Sequence, residues 1–586
     1  MSLASALTIS LSGIQATSTQ LELTASNISN AATEGYSTKR AILSPATLGS
    51  VGGGTQVIGF SRAENAALYT TLTTATSDAG LRATQNNYLQ QVQDILGTSS
   101  SDNPTLATTL TNFVNAWKEL AASPESLVAK RQVVQDATTF VDEVRRISTE
   151  VEALDRQCTG EINATLVDLN GYLEQIRDIN QKISQAINSN LSSGDLQDQR
   201  DQLVLKVSEI TGVTVLTRSF GQIALYTSTG YQLVDGSSAR EFSYDGTTVS
   251  SVSNPGLSLN TALAGGSLDA LVNFRATTTP ISTAPGTSVI QKLRSQLDMI
   301  VGMFTNTVTS ATSTQDTFAA AYNAPDDVAA ATIGLADALT FTAAATGPAG
   351  NTITVTVADD LVNVGNYEVT ITNGTVTETY SNLSNGLVPG ANELWTNLSA
   401  AIAGAPSALV TTAVNGTGNL DPTTLTLPTA PPLQLAGGYS DIIPVLPGEL
   451  STDFFVGTNR TTFAVNAALL DGTATVKTAA AIGVTDALLD ATRAFGSDGL
   501  ALANTSYVSV ISASLTSFQQ AANNVATLKT TAENARSYLE ERYSNETGVN
   551  VDNELVNLTT LQNSYAASAH VMSVVQDLFI KLEQLL

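Results

Sequence analysis

The sequence contains very little cysteine, histidine and charge. Its 586 residues include a single cysteine, Cys158, and a single histidine, His570. This rules out a disulfide framework and a Cys/His zinc site, and it argues against a histidine-based catalytic triad. Charged residues make up 13% of the chain, against a usual value of about 25%. Among catalytic sites, the composition leaves open a pair of carboxylates or an all-carboxylate metal site.

Basic residues are also scarce, and long apolar runs are missing. Lys and Arg number 26 against 52 Asp and Glu, a net charge of −26, so the chain repels nucleic acid and anionic lipid. No apolar run is long enough to span a bilayer, and the N-terminus lacks the early Lys or Arg of a secretion signal. We therefore predict no nucleic-acid partner and no membrane insertion. Because little cysteine and abundant Thr, Ser and Asn are typical of extracellular proteins, we expect export by a route that needs no classical signal.

The first thirty residues carry an apolar seam with the period of a coiled coil. Its members recur at steps of three and four, interrupted by the polar Ser18, and Glu22 is the single charge among them. Such a thin seam cannot keep a helix folded alone, because isolated helices are marginal without packing. The predicted N-terminal assembly seam is Leu7, Leu11, Ile14, Leu21, Ala25 and Ile28.

The last thirty residues repeat this pattern. Steps of three and four again join apolar side chains, up to the last residue of the sequence. Two thin matched seams predict a helical pair whose flanks, rich in small residues, face neighbouring copies. The alternative is a helical pair that closes a single globular domain. The predicted C-terminal assembly seam is Leu558, Leu561, Tyr565, Met572, Val575, Phe579, Leu582 and Leu586.

Long amphipathic helices dominate the chain between its two ends. A seam that runs from Val133 to Ile187 predicts a helix of about 80 Å at 1.5 Å per residue. Helices of this length must share a bundle to bury their apolar stripes. Further seams predict helices over about 104–123, 196–210, 287–313 and 501–544.

Two inserted regions have the alternation and the turn residues of strands. Short apolar runs separated by Gly-bearing turns occupy 213–280, and Asn373-Gly374 is the strongest hairpin signal in the chain. The predicted fold class is an α+β multidomain chain with long coiled-coil-like terminal helices, an elongated helical bundle and two inserted β-rich domains. The predicted domains are a terminal coiled-coil domain (1–50 with 546–586), a helical bundle (51–212 with 465–545), a mixed β and helix domain (213–324) and a variable β-rich outer insert (325–464).

Few residues suggest chemistry. Asp198 and Asp201 lie three residues apart on one predicted helix face, and a hydrolase could use such a pair. Arg200 lies between them, however, and no aromatic sugar platform is visible nearby, so a solvated helix face or a bundle contact is favoured. Cys158 continues the seam of its helix and is expected in the core, and His570 is expected at the surface. We predict no catalytic, cofactor or metal site.

Residues 25–40 contain the motif Ala-Ser-Asn-Ile-Ser-Asn-Ala-Ala-Thr-Glu-Gly-Tyr-Ser-Thr-Lys-Arg. It resembles the signature of bacterial flagellar rod, hook and hook-associated proteins, in which Ala-Asn-Asn-Leu-Ala-Asn precedes Thr-x-Gly-Tyr or Phe. Ser26 and Glu34 depart from the usual Asn and Pro of that signature. The segment is expected to end the first helix, because Asn can cap a helix and Gly permits the positive φ of a turn. The matching residues are Asn27, Asn30, Thr33, Gly35 and Tyr36.

Three further stretches narrow the resemblance to the hook-associated members of this family. They cover 54–62, 196–215 and 547–569, and the 325–464 insert takes the place of the family's variable outer domain. The resemblance implies a structural protein of motility rather than an enzyme, without a cofactor, secreted to the bacterial flagellum. It implies a position at the junction between hook and filament, reached by type III export and assembled through the terminal helices.

The same resemblance implies the partners. Copies of the chain form a ring or helical tube, with hook protein on one side and hook-associated protein 3 on the other. An export chaperone covers the C-terminal helix before secretion, over Met572, Val575, Phe579 and Leu582. The alternatives are a flagellar hook or rod protein and, in a different class, a secreted adhesin or hydrolase module on a flagellar scaffold.

Overall fold

The fold is α+β, with long helices and small antiparallel sheets, as the sequence predicts. The computed structural model describes residues 3–48, 51–97, 105–189, 191–277, 288–305, 318–323, 332–334, 339–343, 354–359, 366–372, 375–384, 393–404, 410–414, 433–434, 449–450, 453–491, 493–497 and 500–585. The helices are α1 (Leu3–Ser29), α2 (Ala66–Leu96), α3 (Leu106–Ala122), α4 (Leu127–Asn188), α5 (Gly194–Ile210), α6 (Gly266–Arg275), α7 (Val289–Thr305), α8 (Phe318–Asn323), α9 (Glu393–Gly404), α10 (Ala467–Leu470), α11 (Ala481–Leu489), α12 (Tyr507–Thr547) and α13 (Val551–Leu585).

The strands form hairpins and short antiparallel sheets. The strand pairs or sheets, in hydrogen-bonded order, are β1-β2, β3-β4-β5-β6, β7-β8, β14-β10-β9, β13-β12-β11-β15, β16-β17 and β18-β19. Their bounds are β1 (Lys39–Leu48), β2 (Val51–Arg62), β3 (Val213–Thr217), β4 (Ile223–Thr227), β5 (Gln232–Asp235), β6 (Ser238–Ala239), β7 (Phe242–Tyr244), β8 (Val249–Ser251), β9 (Thr332–Gly334), β10 (Leu339–Ala343), β11 (Thr354–Asp359), β12 (Asn366–Thr372), β13 (Thr377–Ser384), β14 (Val410–Val414), β15 (Leu433–Gln434), β16 (Phe455–Val456), β17 (Ala464–Val465), β18 (Arg493–Ser497) and β19 (Leu500–Thr505).

The longest helix, α4, follows the predicted seam without a break. It has 62 residues, which at 1.5 Å per residue gives a length of about 93 Å. The sixteen seam positions from Val133 to Ile187 are buried except the last, which is 38% exposed. Asn180, a polar member of this seam, is fully buried. Its side-chain amide donates to the Ile223 carbonyl and accepts from the Ile223 N–H. The 3.5-residue spacing therefore located both the helix and its buried face.

Other elements differ from the prediction in detail. Helix α12 begins at Tyr507 rather than near 501, because Leu500–Thr505 pairs with Arg493–Ser497 as a hairpin. Helix α6 lies inside the region expected to be β-rich. Strands β12 and β13 pair antiparallel around the Asn-Gly signal, as predicted. The proline-rich part of the insert, over 422–447, lies almost wholly outside the described residues.

The chain divides into two compact units. The first comprises Met1–Thr98, Thr149–Arg294 and Ser514–Leu586, and the second comprises Ser99–Ser148 and Ser295–Ala513. The division into four domains proposed from the sequence remains a prediction. The second unit is built on contacts among ten aromatic rings, Phe113, Trp117, Phe140, Phe304, Phe318, Tyr322, Phe454, Phe455, Phe463 and Tyr507.

Candidate functional site

The two terminal helices of the first unit, α1 and α13, pack along one another. The buried positions of α1 are small or polar: Ser10, Ala16, Thr17, Thr24 and Asn27. Gly13 lies opposite Ser568, and a Cβ at Gly13 would be 3.4 Å from the Ser568 hydroxyl. Hydroxyls on this face, such as those of Ser10 and Thr17, donate to carbonyls of their own helix. The helices thus approach closely through small side chains.

The predicted N-terminal seam is only partly buried. Leu11 is 46% exposed, Ala25 is exposed, and the remaining members (Leu7, Ile14, Leu21 and Ile28) are half-buried. Since each helical residue advances by about 100°, the seam lies about a quarter of a turn away from the buried face. That the small-residue flank of this helix pair faces neighbouring copies stays a prediction. The apolar seam is the side of α1 left available.

The predicted C-terminal seam does lie on the side of α13 that faces α1. Val575 is 6% exposed and shares that side with Ser568, two turns earlier. Leu558, Leu561 and Met572 are half-buried, whereas Tyr565 and Phe579 are 40% and 38% exposed. Leu586 and the side chain of Leu582 lie outside the described residues.

A second apolar side of α13 was missed by the sequence interpretation. Val571, Val574 and Leu578 are 50%, 45% and 47% exposed, and we call them the outer strip. Their spacing of three and four residues is the same signal as that of the predicted seam, in a different phase. A helix that is apolar on two sides normally has a partner on each. Within the described residues, α1 covers one side of α13 and the outer strip stays open.

The motif of residues 25–40 ends α1 and turns the chain into β1. The Asn27 amide donates to the Lys39 carbonyl at 3.0 Å and accepts from the Lys39 N–H at 3.1 Å. The Tyr36 hydroxyl also donates to Asn27 Oδ1, at 3.1 Å. Asn30 donates to the Ser26 carbonyl at 2.9 Å, in the last turn of the helix. The motif residues therefore stabilise the turn by hydrogen bonds to one another.

Gly35 occupies the one position of this turn that requires glycine. Its φ is +73°, and a Cβ there would collide with the side-chain amide of Gln202, which donates to the Glu34 carbonyl at 2.5 Å. We expect Gly35→Ala to lower the free energy of unfolding of this region by about 1–2 kcal/mol. Gly171→Ala is the control, because nothing lies within 4 Å of a Cβ at Gly171, and helix propensity predicts a gain of up to about 1 kcal/mol. Chemical denaturation of the two variants would measure the difference, and equal stabilities would contradict the assignment.

A buried group of charges joins the motif to α5. Lys39 Nζ lies 2.7 Å from Asp195 and 2.9 Å from Asp198, and Arg62 lies 3.0 Å from Asp198 and 2.5 Å from Asp201. The N–H and hydroxyl of Ser37 donate to Asp198 as well, and the Lys39 ammonium lies 3.3 Å from the centre of the Tyr36 ring. We call Lys39, Arg62, Asp198 and Asp201 the junction cluster.

The junction cluster distinguishes the two interpretations that the sequence favoured for Asp198 and Asp201, a solvated helix face and a bundle contact. Asp198 is 6% exposed and Arg200 is 5% exposed, so this is not a solvated helix face. Burial alone would lower the pKa of Lys39, but hydrogen bonds to Asp195 and Asp198 outweigh it and raise that pKa. Burial would also lower the pKa of Arg62, but the charges of Asp201 and Asp198 and the hydrogen bonds to them outweigh it and raise that pKa. Both cations stay charged and remain paired with their carboxylates.

The end of α12 completes the junction from the C-terminal side. The Thr38 N–H and hydroxyl donate to the carbonyls of Thr547 and Gly548, at 2.9 and 2.7 Å. The Tyr69 hydroxyl donates to the Asp201 carbonyl at 2.6 Å, and its ring lies 5.6 Å from that of Tyr543. Segments from both ends of the chain therefore meet on α5.

The junction should weaken at alkaline pH. Burial, with the nearby Asp201 charge, raises the pKa of Tyr543 from 10 to about 12, against a smaller opposing effect of Arg62. Unfolded tyrosine loses its proton first, so this stabilisation is complete below pH 10 and is lost as the pH rises to about 12. We expect the thermal midpoint to fall across this window, and to fall less steeply in Tyr543→Phe. The raised pKa values of Tyr69 and Lys39 leave part of the dependence in the variant; identical profiles for both proteins would contradict the prediction.

The other residues singled out from the sequence lie where they were expected. Cys158 is fully buried, and burial raises the pKa of its thiol to about 12, so it stays protonated. His570 is exposed. Among the residues that the structure describes, no cluster of His, Cys, Asp and Glu has a metal-binding arrangement. Each helix in the described part of the chain is too short or too polar to span a bilayer.

Comparison with known families gives three matches along the chain. Residues 89–317 match the family described as flagellar hook-associated protein FlgK helical domain. Residues 7–36 match the flagella basal body rod protein family, and residues 540–585 match the C-terminal family of the flagellar basal body rod FlgEFG proteins. The two terminal matches contain the five matching residues of the motif, most of α1 and all of α13.

Individual relatives agree with these matches. The chain is 29% identical over 238 residues to flagellar hook-associated protein 1 of Salmonella typhimurium. This alignment covers 39% of this chain and 42% of that protein. It is 29% identical over 288 residues to the Escherichia coli protein of the same name. That alignment covers 45% of this chain and 51% of the Escherichia coli protein. The chain thus spans about half the length of these relatives. A solved structure of the flagellar hook junction protein FlgK from Burkholderia pseudomallei aligns over 81% of this chain and 99% of its own, with 14% identity and a TM-score of 0.45.

Proposed function

We propose that this chain, a member of the flagellar hook-associated protein family, is a structural component of the bacterial flagellum that forms the junction between hook and filament. The observation that carries the proposal is the pair of terminal helices. They pack together through small residues and keep apolar surface exposed on both, along the N-terminal seam and the outer strip. A helix pair with this surface is incomplete as a single copy.

Assembly buries this surface against neighbouring copies. Complete burial of a Val or Leu side chain contributes about 1.5–3 kcal/mol, so each half-exposed member contributes about 1 kcal/mol. The sum over a seam and a strip is several kcal/mol, enough to order long helices that are marginal alone. Contacts between different faces of identical subunits generate a ring or a helical tube. The terminal segments, 1–50 and 546–586, form the wall of that tube in this proposal.

The junction cluster fixes the direction in which the terminal helices leave the rest of the first unit. Removing either partner of a buried ion pair leaves the other charge buried without compensation, which is costly. The ion pairs therefore keep their geometry. The helical bundle (51–212 with 465–545), the mixed domain (213–324) and the insert (325–464) are the other domains of the chain in this proposal. The role is structural and not enzymatic.

The partners follow from this position. Hook protein lies on one side of the junction and hook-associated protein 3 on the other, outside the cell. An export chaperone covers the C-terminal seam around Met572 and Phe579 before type III secretion. The net charge of −26 disfavours nucleic-acid partners and insertion into anionic membranes.

Deletion of the gene in its own bacterium tests the proposal. We expect cells with complete hooks but no filaments, flagellin released into the medium, and filaments restored by the wild-type gene. Loss of the hooks themselves would indicate a hook or rod protein instead. Normal filaments in the deletion strain would overturn the proposal.

A further inference from the structure

The β1–β2 hairpin follows α1 in the chain and packs back along it. Strand β1, Lys39–Leu48, has 10 residues and spans about 33 Å at 3.3 Å per residue. Helix α1 covers about 30 Å between Ile9 and Ser29 at 1.5 Å per residue. The far part of the hairpin therefore reaches the first turns of α1, where Gly54 lies against Ile9 and Ser12.

The close approach of Gly54 to α1 depends on its lack of a side chain. Its φ is +101°, and a Cβ there would collide with the Ser12 hydroxyl and lie 3.2 Å from the Ile9 Cα. The next residue, Thr55, donates its N–H to the Ser12 hydroxyl at 3.2 Å. Because a side chain disfavours the left-handed conformation, glycine is required at this contact. We call Ser12 and Gly54 the latch.

The opposite end of the hairpin is anchored on α5. Lys39 and Arg62, the first residue of β1 and the last of β2, are cross-strand partners. Both pair with the buried Asp198, at 2.9 and 3.0 Å. Since breaking a buried ion pair is costly, the hairpin leaves the junction cluster in a fixed direction.

The hairpin is weakly held between the anchor and the latch. Among the residues that the structure describes over 40–46 and 54–61, every side chain is exposed or half-buried. Ile42 and Ile58, for example, are 43% and 50% exposed. A two-stranded sheet is marginal without further packing, and segments with few buried apolar contacts open locally. The two ends therefore decide where the hairpin lies, and the latch decides whether it lies on α1.

The latch and α13 hold α1 at the same level from two directions. Ser12 contacts the hairpin, and the next residue, Gly13, lies opposite Ser568 of α13. Successive residues point about 100° apart around a helix. A helix held along one line can roll about that line, whereas two lines of contact fix its rotation. This rotation sets the direction of Leu11, the neighbouring member of the N-terminal seam, which is 46% exposed.

We propose that the β1–β2 hairpin is a strap that fixes the rotation of α1 before assembly, with Ser12 and Gly54 as positioning residues. The strap gives the N-terminal seam the same direction in every subunit, as repeated contacts between identical copies require. This inference rests on the proposed function, because the seam is a contact surface only in an assembly. The contact itself lies within one chain, so the purified protein is sufficient to measure it.

Gly54→Ala opens the latch, and Gly59→Ala is the matched control on the same hairpin. A Cβ at Gly59 would lie 3.9 Å from the Ile42 side chain, which is an ordinary contact. In the purified chain, we expect the amides of 9–17 to exchange with solvent about tenfold faster in Gly54→Ala, and at the wild-type rate in Gly59→Ala. The amides of 37–39 and of α5 should keep the wild-type rate in both variants.

Three outcomes of this measurement would overturn the proposal. The first is equal exchange of α1 in the two variants. The second is a loss of protection at 37–39 in Gly54→Ala, which would make Gly54 a residue of the fold rather than of the strap. The third is free exchange of α1 in the wild-type chain, because a strap that orients α1 must hold it before assembly.

Ser12→Ala tests the latch from the side of α1, without introducing a clash. Alanine favours a helix more than serine does, so a loss of α1 protection would not arise from helix propensity. We expect the amides of 9–17 to exchange about threefold faster, as loss of one hydrogen bond predicts. Ser18→Ala, the same substitution later in α1, should cause no loss. Unchanged or slower exchange in Ser12→Ala would overturn the assignment of Ser12 as a positioning residue.

Complementation of the deletion strain connects the strap to assembly. We expect about tenfold fewer filaments with Gly54→Ala than with Gly59→Ala, because each contact loses its preset orientation. Wild-type filament numbers with Gly54→Ala, beside a wild-type gene that restores filaments, would overturn this inference alone. Failure of the wild-type gene to restore filaments would overturn the proposed function, and the exchange rates would still decide whether the strap holds α1.

Discussion

Asp198→Ala is expected to lower the free energy of local unfolding at the junction of the terminal helices by about 3–5 kcal/mol. Asp198 is buried and balances two buried cations, with Lys39 at 2.9 Å and Arg62 at 3.0 Å. Truncation also removes the acceptor of the Ser37 N–H and hydroxyl. Native-state hydrogen exchange would measure the loss of protection at the amides of 37–39 and of α5.

Asp195→Ala is the matched control for this prediction. Asp195 contacts the same Lys39 ammonium, at 2.7 Å, but its side chain is 69% exposed against 8% for Asp198. Surface ion pairs contribute about 0–1 kcal/mol, so the control should change protection little. Similar losses in the two variants would show that burial does not set the strength of the cluster. In the bacterium, Asp198→Ala should reduce the number of attached filaments, because the terminal helices lose their fixed exit direction.

Val575→Asp and Val571→Asp are expected to abolish assembly by two different routes. Val575 is 6% exposed on the side of α13 that faces α1, so an aspartate there disrupts the pair within one chain. Far-UV circular dichroism should show loss of helix from the 27 residues of α1 and the 35 of α13. Val571 is 50% exposed on the outer strip, so Val571→Asp should keep the wild-type spectrum.

Both variants should nevertheless fail to restore filaments in a deletion strain. Burying an unpaired carboxylate between copies costs about 3 kcal/mol or more, which is at least about a hundredfold in affinity for each contact. Val571→Ile keeps the strip apolar and should restore filaments normally. Normal filaments with Val571→Asp would show that the outer strip is not an assembly surface. A wild-type spectrum for Val575→Asp would place the α1–α13 contact elsewhere.

Much of the helical architecture could be predicted from the sequence. In α4, Phe140, Leu154, Ile162 and Ile176 were expected on the buried face, and each is at most 3% exposed. The reason is that a long helix repeats one local rule, a period of 3.6 residues, over many turns. A single irregular position does not obscure the phase of so long a pattern.

The terminal helices show where that rule fails. In α1 the predicted apolar seam is only partly buried, whereas the close contact with α13 is made at Gly13, on a helix whose buried residues are small or polar. Periodicity shows which face of a helix is apolar. How closely two helices approach depends instead on the size of the side chains between them and on which other segments pack against the apolar face. The outer strip was missed for the same reason, since two apolar phases coexist in α13.

The long helices, the buried face of α4 and the glycine-dependent turn after α1 can be read from the sequence alone. These depend on interactions within a few residues, and such interactions are visible in a linear pattern. Helix packing, and not any local pattern, brings Lys39, Arg62 and Asp198 into one buried cluster and joins Thr38 to Thr547. These contacts join residues more than 100 and up to about 500 positions apart, so they depend on how whole helices pack, which no local spacing records.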